Sequence, residues 1–144
     1  MISRRRILTV IALLSAAGMA LSMVSLQHHY VSSTTSFCDF GANFNCDIVN
    51  RSIYSEIFGV PVALIGLLGY AALLTFALFY RKSEDAPVFL VAASFAGLAF
   101  ALYLTYIEAF VLDVWCVLCL SSLGLILAVA FLSAMLMWYS QLRS

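Results

Sequence analysis

The segment Trp115-Cys116-Val117-Leu118-Cys119 opens an apolar run that continues to about Tyr139. A run of about 20 apolar residues crosses the hydrocarbon layer of a bilayer as a helix, so this stretch is a membrane span with a cysteine pair at its mouth. Two cysteines three apart on a helix share one face, and one turn brings them within the Cα separation of about 4.4–6.8 Å that a disulfide requires. Such a pair opens and closes with little backbone movement. Trp115 is of the type that gathers at membrane–water interfaces. A CxxC in this position points to redox chemistry at the bilayer edge; a packed or stapled cysteine pair is the alternative.

The rest of the chain is of the same character. Of 144 residues, 65% are hydrophobic and 10% charged, against about 45–50% and 25% in a soluble domain. The mean hydropathy is +1.07. An integral membrane protein with little soluble mass follows. No basic stripe is present to bind nucleic acid, and no internal repeat of solenoid length is visible. The reading is one all-α membrane domain over residues 1–144, a four-helix bundle with spans near 7–26, 60–80, 87–111 and 115–138.

The first apolar run follows Arg4-Arg5-Arg6 and contains Ala16, Ala17, Gly18 and Ala20, small residues of the kind found at signal cleavage sites. The arginines also resemble a twin-arginine signal. The run suits a retained span better than a signal core of 7–15 residues. His28, His29 and Tyr30 end it at headgroup level. A long loop with Cys38 and Cys46 comes next, and Asp47 is placed to cap a short helix to about Phe58. Ile48, Val49, Ile53 and Ile57 give that helix an apolar side, while Asn50, Arg51 and Glu56 give it a polar one, a pattern for lying on the membrane surface. Pro61 and Pro87 each fit the first turn of a span, and Asp113 marks the tight turn before the last one.

Charge sets the orientation. Arg4, Arg5, Arg6, Arg81, Lys82 and Arg143 fall on one side, and Arg51 alone on the other. The positive-inside rule then places both termini in the cytoplasm and all four cysteines on the opposite, oxidising face. Two dithiol pairs on one face form a relay by thiol–disulfide exchange. Cys116 sits at a helix N-terminus, where the backbone dipole favours a thiolate, with Asp113 acting against it. A dithiol facing the bilayer can pass two electrons to a lipid-soluble acceptor, most simply a quinone. Zinc and iron–sulfur sites fit poorly, because Cys38 and Cys46 are eight apart, outside knuckle spacing, and no metal is expected. A scaffold stapled by two static disulfides is the rival from another class, although a disulfide within one helical turn stabilises little.

Cys38-x₇-Cys46, Asn50-Arg51-Ser52, Gly59-Val60-Pro61 opening a helix, and Cys116-Val117-Leu118-Cys119 together resemble the vitamin K epoxide reductase family, in particular its bacterial homologues. The resemblance covers nearly the whole chain. It implies that Cys116 and Cys119 are the active-site pair beside a quinone, that Cys38 and Cys46 shuttle electrons to them, and that Ser52 lies near the site. It further implies a separate thioredoxin-like partner outside the cytoplasm, with ubiquinone, menaquinone or another naphthoquinone as acceptor, in a bacterial inner membrane. Electrons enter at Cys38 or Cys46; Cys46 attacks Cys116 of the Cys116–Cys119 disulfide and frees Cys119 for the quinone. In the animal enzymes an Asn on the second helix and a Tyr four residues past the CxxC hydrogen-bond the quinone oxygens. Here those positions fall on Val62 and Leu123, so the resemblance implies a mainly apolar quinone site and simple quinone reduction in preference to epoxide reduction. Phe40 and Phe44 are candidates for covering that site. Glu108 near the outer end of the third span is a weaker functional candidate, and Tyr103 and Tyr106 read as interface or packing residues.

Overall fold

The computed structural model describes residues 3–31 and 43–143. Helix α1 (Arg4–Tyr30) is followed, beyond the loop, by the single-turn α2 (Cys46–Asn50), a 3-10 turn at Ile53–Ser55, and a small hairpin of β1 (Glu56–Ile57) and β2 (Val60–Pro61). Then come α3 (Val62–Phe79), α4 (Ala86–Ile107) with a π-helical extension over Glu108–Leu112, and α5 (Val117–Arg143). Among the described residues, α1, α3, α4 with its extension, and α5 are long and apolar enough to cross a membrane.

The segment after Asp47 departs from the expected surface helix. It is helical only to Asn50, and its cap is Asn45, whose side chain accepts the Ile48 N–H at 3.1 Å. The reason is local competition for backbone groups. Ser52 Oγ donates to the Val49 carbonyl at 2.8 Å, and Ser55 Oγ to the Ser52 carbonyl at 2.6 Å. Phe58 and Gly59 both have positive φ, 53° and 80°, as a two-residue hairpin turn demands. The hairpin then delivers the chain to Pro61, which caps α3. Asp113, at φ 53°, makes the left-handed turn expected before the last span.

Helix α1 packs against α3 and α5, and α4 packs against α5 and, less closely, α3, which closes a ring of four helices. At one end, the Arg4 guanidinium donates to the Ser83 carbonyl at 2.7 Å, joining the start of α1 to the turn between α3 and α4. That half of the bundle is solid: Ile7, Leu8 and Ile11 of α1 meet Leu73 and Ala77 of α3, Leu90 of α4, and Val129 and Leu136 of α5. Lipid is as apolar as these side chains, so close van der Waals packing, helped by small residues, holds such helices together. Gly18 lets the Tyr70 ring lie directly on α1, since a Cβ there would run into it. The Tyr70 hydroxyl reaches the Ser122 carbonyl at 2.9 Å and Ser122 Oγ at 2.8 Å, tying α3 to α5. Large apolar side chains such as Leu13, Phe79, Phe131 and Trp138 point outward, as a lipid-facing surface requires. Beyond Tyr70 the packing opens into a cavity.

Candidate active site

The loop is stitched to the head of α5. Trp115 N–H donates to the Asn43 carbonyl at 2.8 Å and Asn45 N–H to the Trp115 carbonyl at 3.1 Å, forming a short parallel bridge centred on Phe44 and Trp115. A cysteine follows on each side: Cys46, next after Asn45, begins α2, and Cys116, next after Trp115, caps α5, its carbonyl accepting the Leu120 N–H at 3.0 Å. Both are fully buried, in one cluster with Leu118 and Cys119. The Cys116 thiol hydrogen-bonds with both Cys119 and Cys46. Cys116 lies one residue ahead of the fourth spanning helix. Its bond with Cys119, reinforced by burial, pushes its thiol pKa up, against a smaller opposing pull from Cys46. This direction is opposite to the thiolate-favouring one expected of a helix N-terminus.

The end of α1 fixes α2 in place. Ser25 Oγ donates to Asn50 Oδ1 at 2.9 Å, His28 Nδ1 pairs with Asp47 Oδ1 at 3.0 Å, and His29 Nδ1 donates to the Asn50 carbonyl at 2.6 Å. His29 Nε2 also lies 3.0 Å from Glu56 Oε1. The two histidines thus hold the cysteine-bearing turn against the bundle. Sequence reading took them for headgroup markers, because a histidine's partner nineteen or more residues away leaves no local pattern.

Inside the cysteine-bearing half of the bundle, a cavity of about 440 Å³ extends from Ser25, Asn50 and Cys119 down to Tyr70, Ser122 and Ile126. Its size is that of a small-molecule site, and its wall is mostly apolar with a few polar groups. Gly66 and Gly69 of α3 keep one side open, as do Ala93, Ala96 and Gly97 of α4. Cys119 is half-buried and lines this cavity. Asn50 is 4% exposed; with Oδ1 taken by Ser25, its Nδ2 has no hydrogen-bond partner among the described residues. A second space of about 20 Å³ adjoins the first, bounded by Asn50, Ser52, Tyr54, Glu108 and Cys119.

The candidates named from sequence fall as follows. Cys46, Cys116 and Cys119 are brought together, and Ser52 borders the small space beside Cys119. Val62 lines both spaces. Leu123 is half-buried and lines neither; its neighbour Ser122 does so instead. Phe44 is engaged through its backbone with Trp115 and is not in either wall. Cys38 and Phe40 lie outside the described residues. The mainly apolar lining expected from Val62 and Leu123 gains polar groups that sequence reading did not assign, among them Asn50, Tyr70 and Ser122. Asn50 had a signal, since it sits four residues after Cys46, on the same helical face. Glu108, expected near a solvated interface, is 1% exposed, and its Oε2 accepts the Cys116 N–H at 3.1 Å.

A cysteine cluster at the end of a four-span bundle, backed by an apolar cavity, is an arrangement for moving electrons between thiols at the membrane. The family model described as "Vitamin K epoxide reductase family" matches residues 9–134. That is most of the sequence, so the chain belongs to the vitamin K epoxide reductase family and is a membrane thiol oxidoreductase.

Proposed function

We propose that the protein oxidises the thiols of a separate thioredoxin-like partner outside the cytoplasm and reduces a membrane quinone, in support of disulfide-bond formation. The partner's thiolate meets the loop pair Cys38–Cys46. Cys46 then attacks Cys116 and the Cys116–Cys119 disulfide opens; Cys38 resolves the Cys46–Cys116 bond, which re-forms the loop disulfide and leaves Cys116 and Cys119 both reduced, Cys119 at the cavity wall. Each exchange breaks one S–S bond and forms another. The last step returns two electrons to the quinone and restores the disulfide. Cys46, Cys116 and Cys119 are packed together in one buried cluster, and this observation carries the reading. A stapled scaffold has no use for a third sulfur beside a bonded pair.

The cavity supports a quinone headgroup with apolar walls and polar ends: Asn50 Nδ2 as a donor to one carbonyl oxygen, and Tyr70 with Ser122 as the polar group farther in. Ubiquinone and menaquinone both meet these requirements. Charge orders the membrane sides, with Arg4, Arg5, Arg6, Arg81, Lys82 and Arg143 cytoplasmic. A reporter active only outside the cytoplasm, fused to the C-terminus, is expected to be silent; activity there would reverse the topology.

Trapping tests the relay. With Cys119→Ser, the lone Cys116 thiolate is expected to attack the Cys38–Cys46 disulfide of the oxidised protein, so that a Cys46–Cys116 mixed disulfide accumulates with Cys38 released as a thiol, and added reduced partner is expected to clear it. Wild-type protein is expected to oxidise the partner only while quinone is present. Partner oxidation indifferent to quinone, or absence of any mixed disulfide, would favour the scaffold.

A further inference from the structure

Glu108 is the one carboxyl group among the described residues buried within the bundle, and neither the relay nor the cavity accounts for it. It opens the π-helical stretch at the outer end of α4; such widened turns are frequent at functional sites. Its Oε2 accepts the Cys116 N–H at 3.1 Å, while Oε1 is buried with no hydrogen-bond partner among the described residues, and Cys119 shares the wall of the small space beside it. Burying a carboxyl group in an apolar bundle is costly unless its partners compensate. One N–H would serve to cap α5, but a neutral Gln could do that as well. The space of about 20 Å³ beside Glu108 and Cys119 is large enough for one water molecule, and its wall includes Ser52, Ser55 and Tyr54. Tyr54 is 37% exposed, so this space lies between the carboxyl group and the outer surface.

From this geometry we infer that Glu108 is the catalytic base of the CxxC pair: it takes the proton from Cys119 as that sulfur is oxidised and returns one when the disulfide is reopened. The inference rests on the reading of Cys116 and Cys119 as the quinone-reducing pair. In the oxidative step both S–H bonds break and the Cys116–Cys119 bond forms. The two electrons reduce the quinone to hydroquinone, and the two thiol protons finish on its two oxygens, the one from Cys119 by way of Glu108. Two thiols and one quinone give one disulfide and one hydroquinone, and nothing else is consumed. In the reductive direction Cys46 attacks Cys116, Cys119 leaves as a thiolate, and Glu108 supplies its proton. The titratable groups facing Glu108 are the Cys119 thiol and, across the small space, Tyr54; Cys116 meets it through its backbone N–H.

The test uses full-length protein in lipid nanodiscs with its CxxC pair reduced, mixed with a short-tailed naphthoquinone in a single-turnover stopped-flow experiment. Glu108→Gln keeps an acceptor for the Cys116 N–H and loses the base. It is expected to slow quinone reduction about 100-fold, as loss of a general base typically does, with quinone affinity unchanged. Glu108→Asp is expected to recover part of that loss. Dithiothreitol reduction of the Cys116–Cys119 disulfide involves no quinone and is expected to slow similarly in Glu108→Gln. A Gln variant with wild-type rates in both reactions would overturn the assignment. Wild-type dithiol that fails to reduce quinone would instead overturn the quinone reading, and the dithiothreitol arm would still judge Glu108. A fold-independent check uses wild-type protein with carbon-13-labelled glutamate. The infrared difference between dithiol and disulfide forms is expected to contain a label-sensitive carboxyl band, because the neighbouring Cys119 carries a proton to exchange with the carboxyl group only in the dithiol. Absence of that band would also overturn the assignment.

Discussion

The Asn45 N–H donates to the Trp115 carbonyl at 3.1 Å, and this bond between the loop and the head of α5 sets the register of the redox site. One residue beyond each partner stands a cysteine. A shift of one residue in this bridge would turn Cys46 to the other face, since side chains alternate along extended chain. The bond therefore does for Cys46 and Cys116 what a helical turn does for Cys116 and Cys119.

The division of labour between the pairs is open to a simple kinetic test. Cys46→Ala is expected to abolish oxidation of a protein partner while leaving turnover with dithiothreitol within about threefold of wild type, because a small dithiol needs no shuttle to reach a disulfide. Cys116→Ala and Cys119→Ala are expected to abolish both. Equal loss of dithiothreitol activity in every cysteine variant would show that the loop pair is not a shuttle.

Gly69 lines the large cavity, and a Cβ built on it meets nothing within 4 Å. Gly69→Leu should therefore fill the cavity without strain. Replacing a helical glycine favours the helix by up to about 1 kcal/mol, so thermal stability is expected to hold or rise. Quinone KM is expected to increase roughly tenfold or more, which is the signature of about 1.4 kcal/mol of lost binding. Unchanged quinone kinetics in this variant would place the quinone elsewhere.

Asn50 is expected to act through its free amide N–H. Asn50→Leu removes that donor and the acceptor for Ser25. Since a buried hydrogen bond is worth about 0.5–1.5 kcal/mol net, quinone KM is expected to rise about three- to tenfold, with a smaller effect from Ser25→Ala, which leaves Nδ2 in place. A steady-state quinone titration against dithiothreitol separates the two. Leu123→Tyr, attractive from sequence alone, is expected to leave quinone KM unchanged, because position 123 lines neither space.

The contact between Gly18 and Tyr70 makes a stability prediction independent of function. Gly18→Ala forces the Tyr70 ring away from α1 and is expected to cost roughly 1–3 kcal/mol, as overpacking commonly does. Tyr70→Phe, which loses the bonds to Ser122, is expected to cost about 1 kcal/mol. Tyr70→Leu should relieve the clash, so Gly18→Ala combined with it is expected to lose less than the sum of the single changes. Thermal unfolding in a fixed detergent measures all four variants.

Four helices able to span a membrane, their turns at Pro61, Pro87 and Asp113, and the closeness of Cys116 to Cys119 were legible in the sequence by itself. Each rests on local or periodic physics: length of apolar run, the conformational habits of proline, and the spacing of one helical turn. The family resemblance likewise rests on short spacings, and the family match agrees with it. Tertiary structure alone decided which polar groups face the cavity and what surrounds the cysteines. Leu123 and Ser122 are adjacent in the chain, yet only Ser122 reaches the cavity, because the rotation of α5 about its axis is set by packing against α1 and α4. Almost every residue of α5 is apolar or small, so no amphipathic stripe reveals that rotation beforehand. Glu108 looked like an interfacial carboxylate because its height in the membrane was readable and its direction was not. The π-helical turn that points it at Cys116 and Cys119 arises from the closure of the bundle around them.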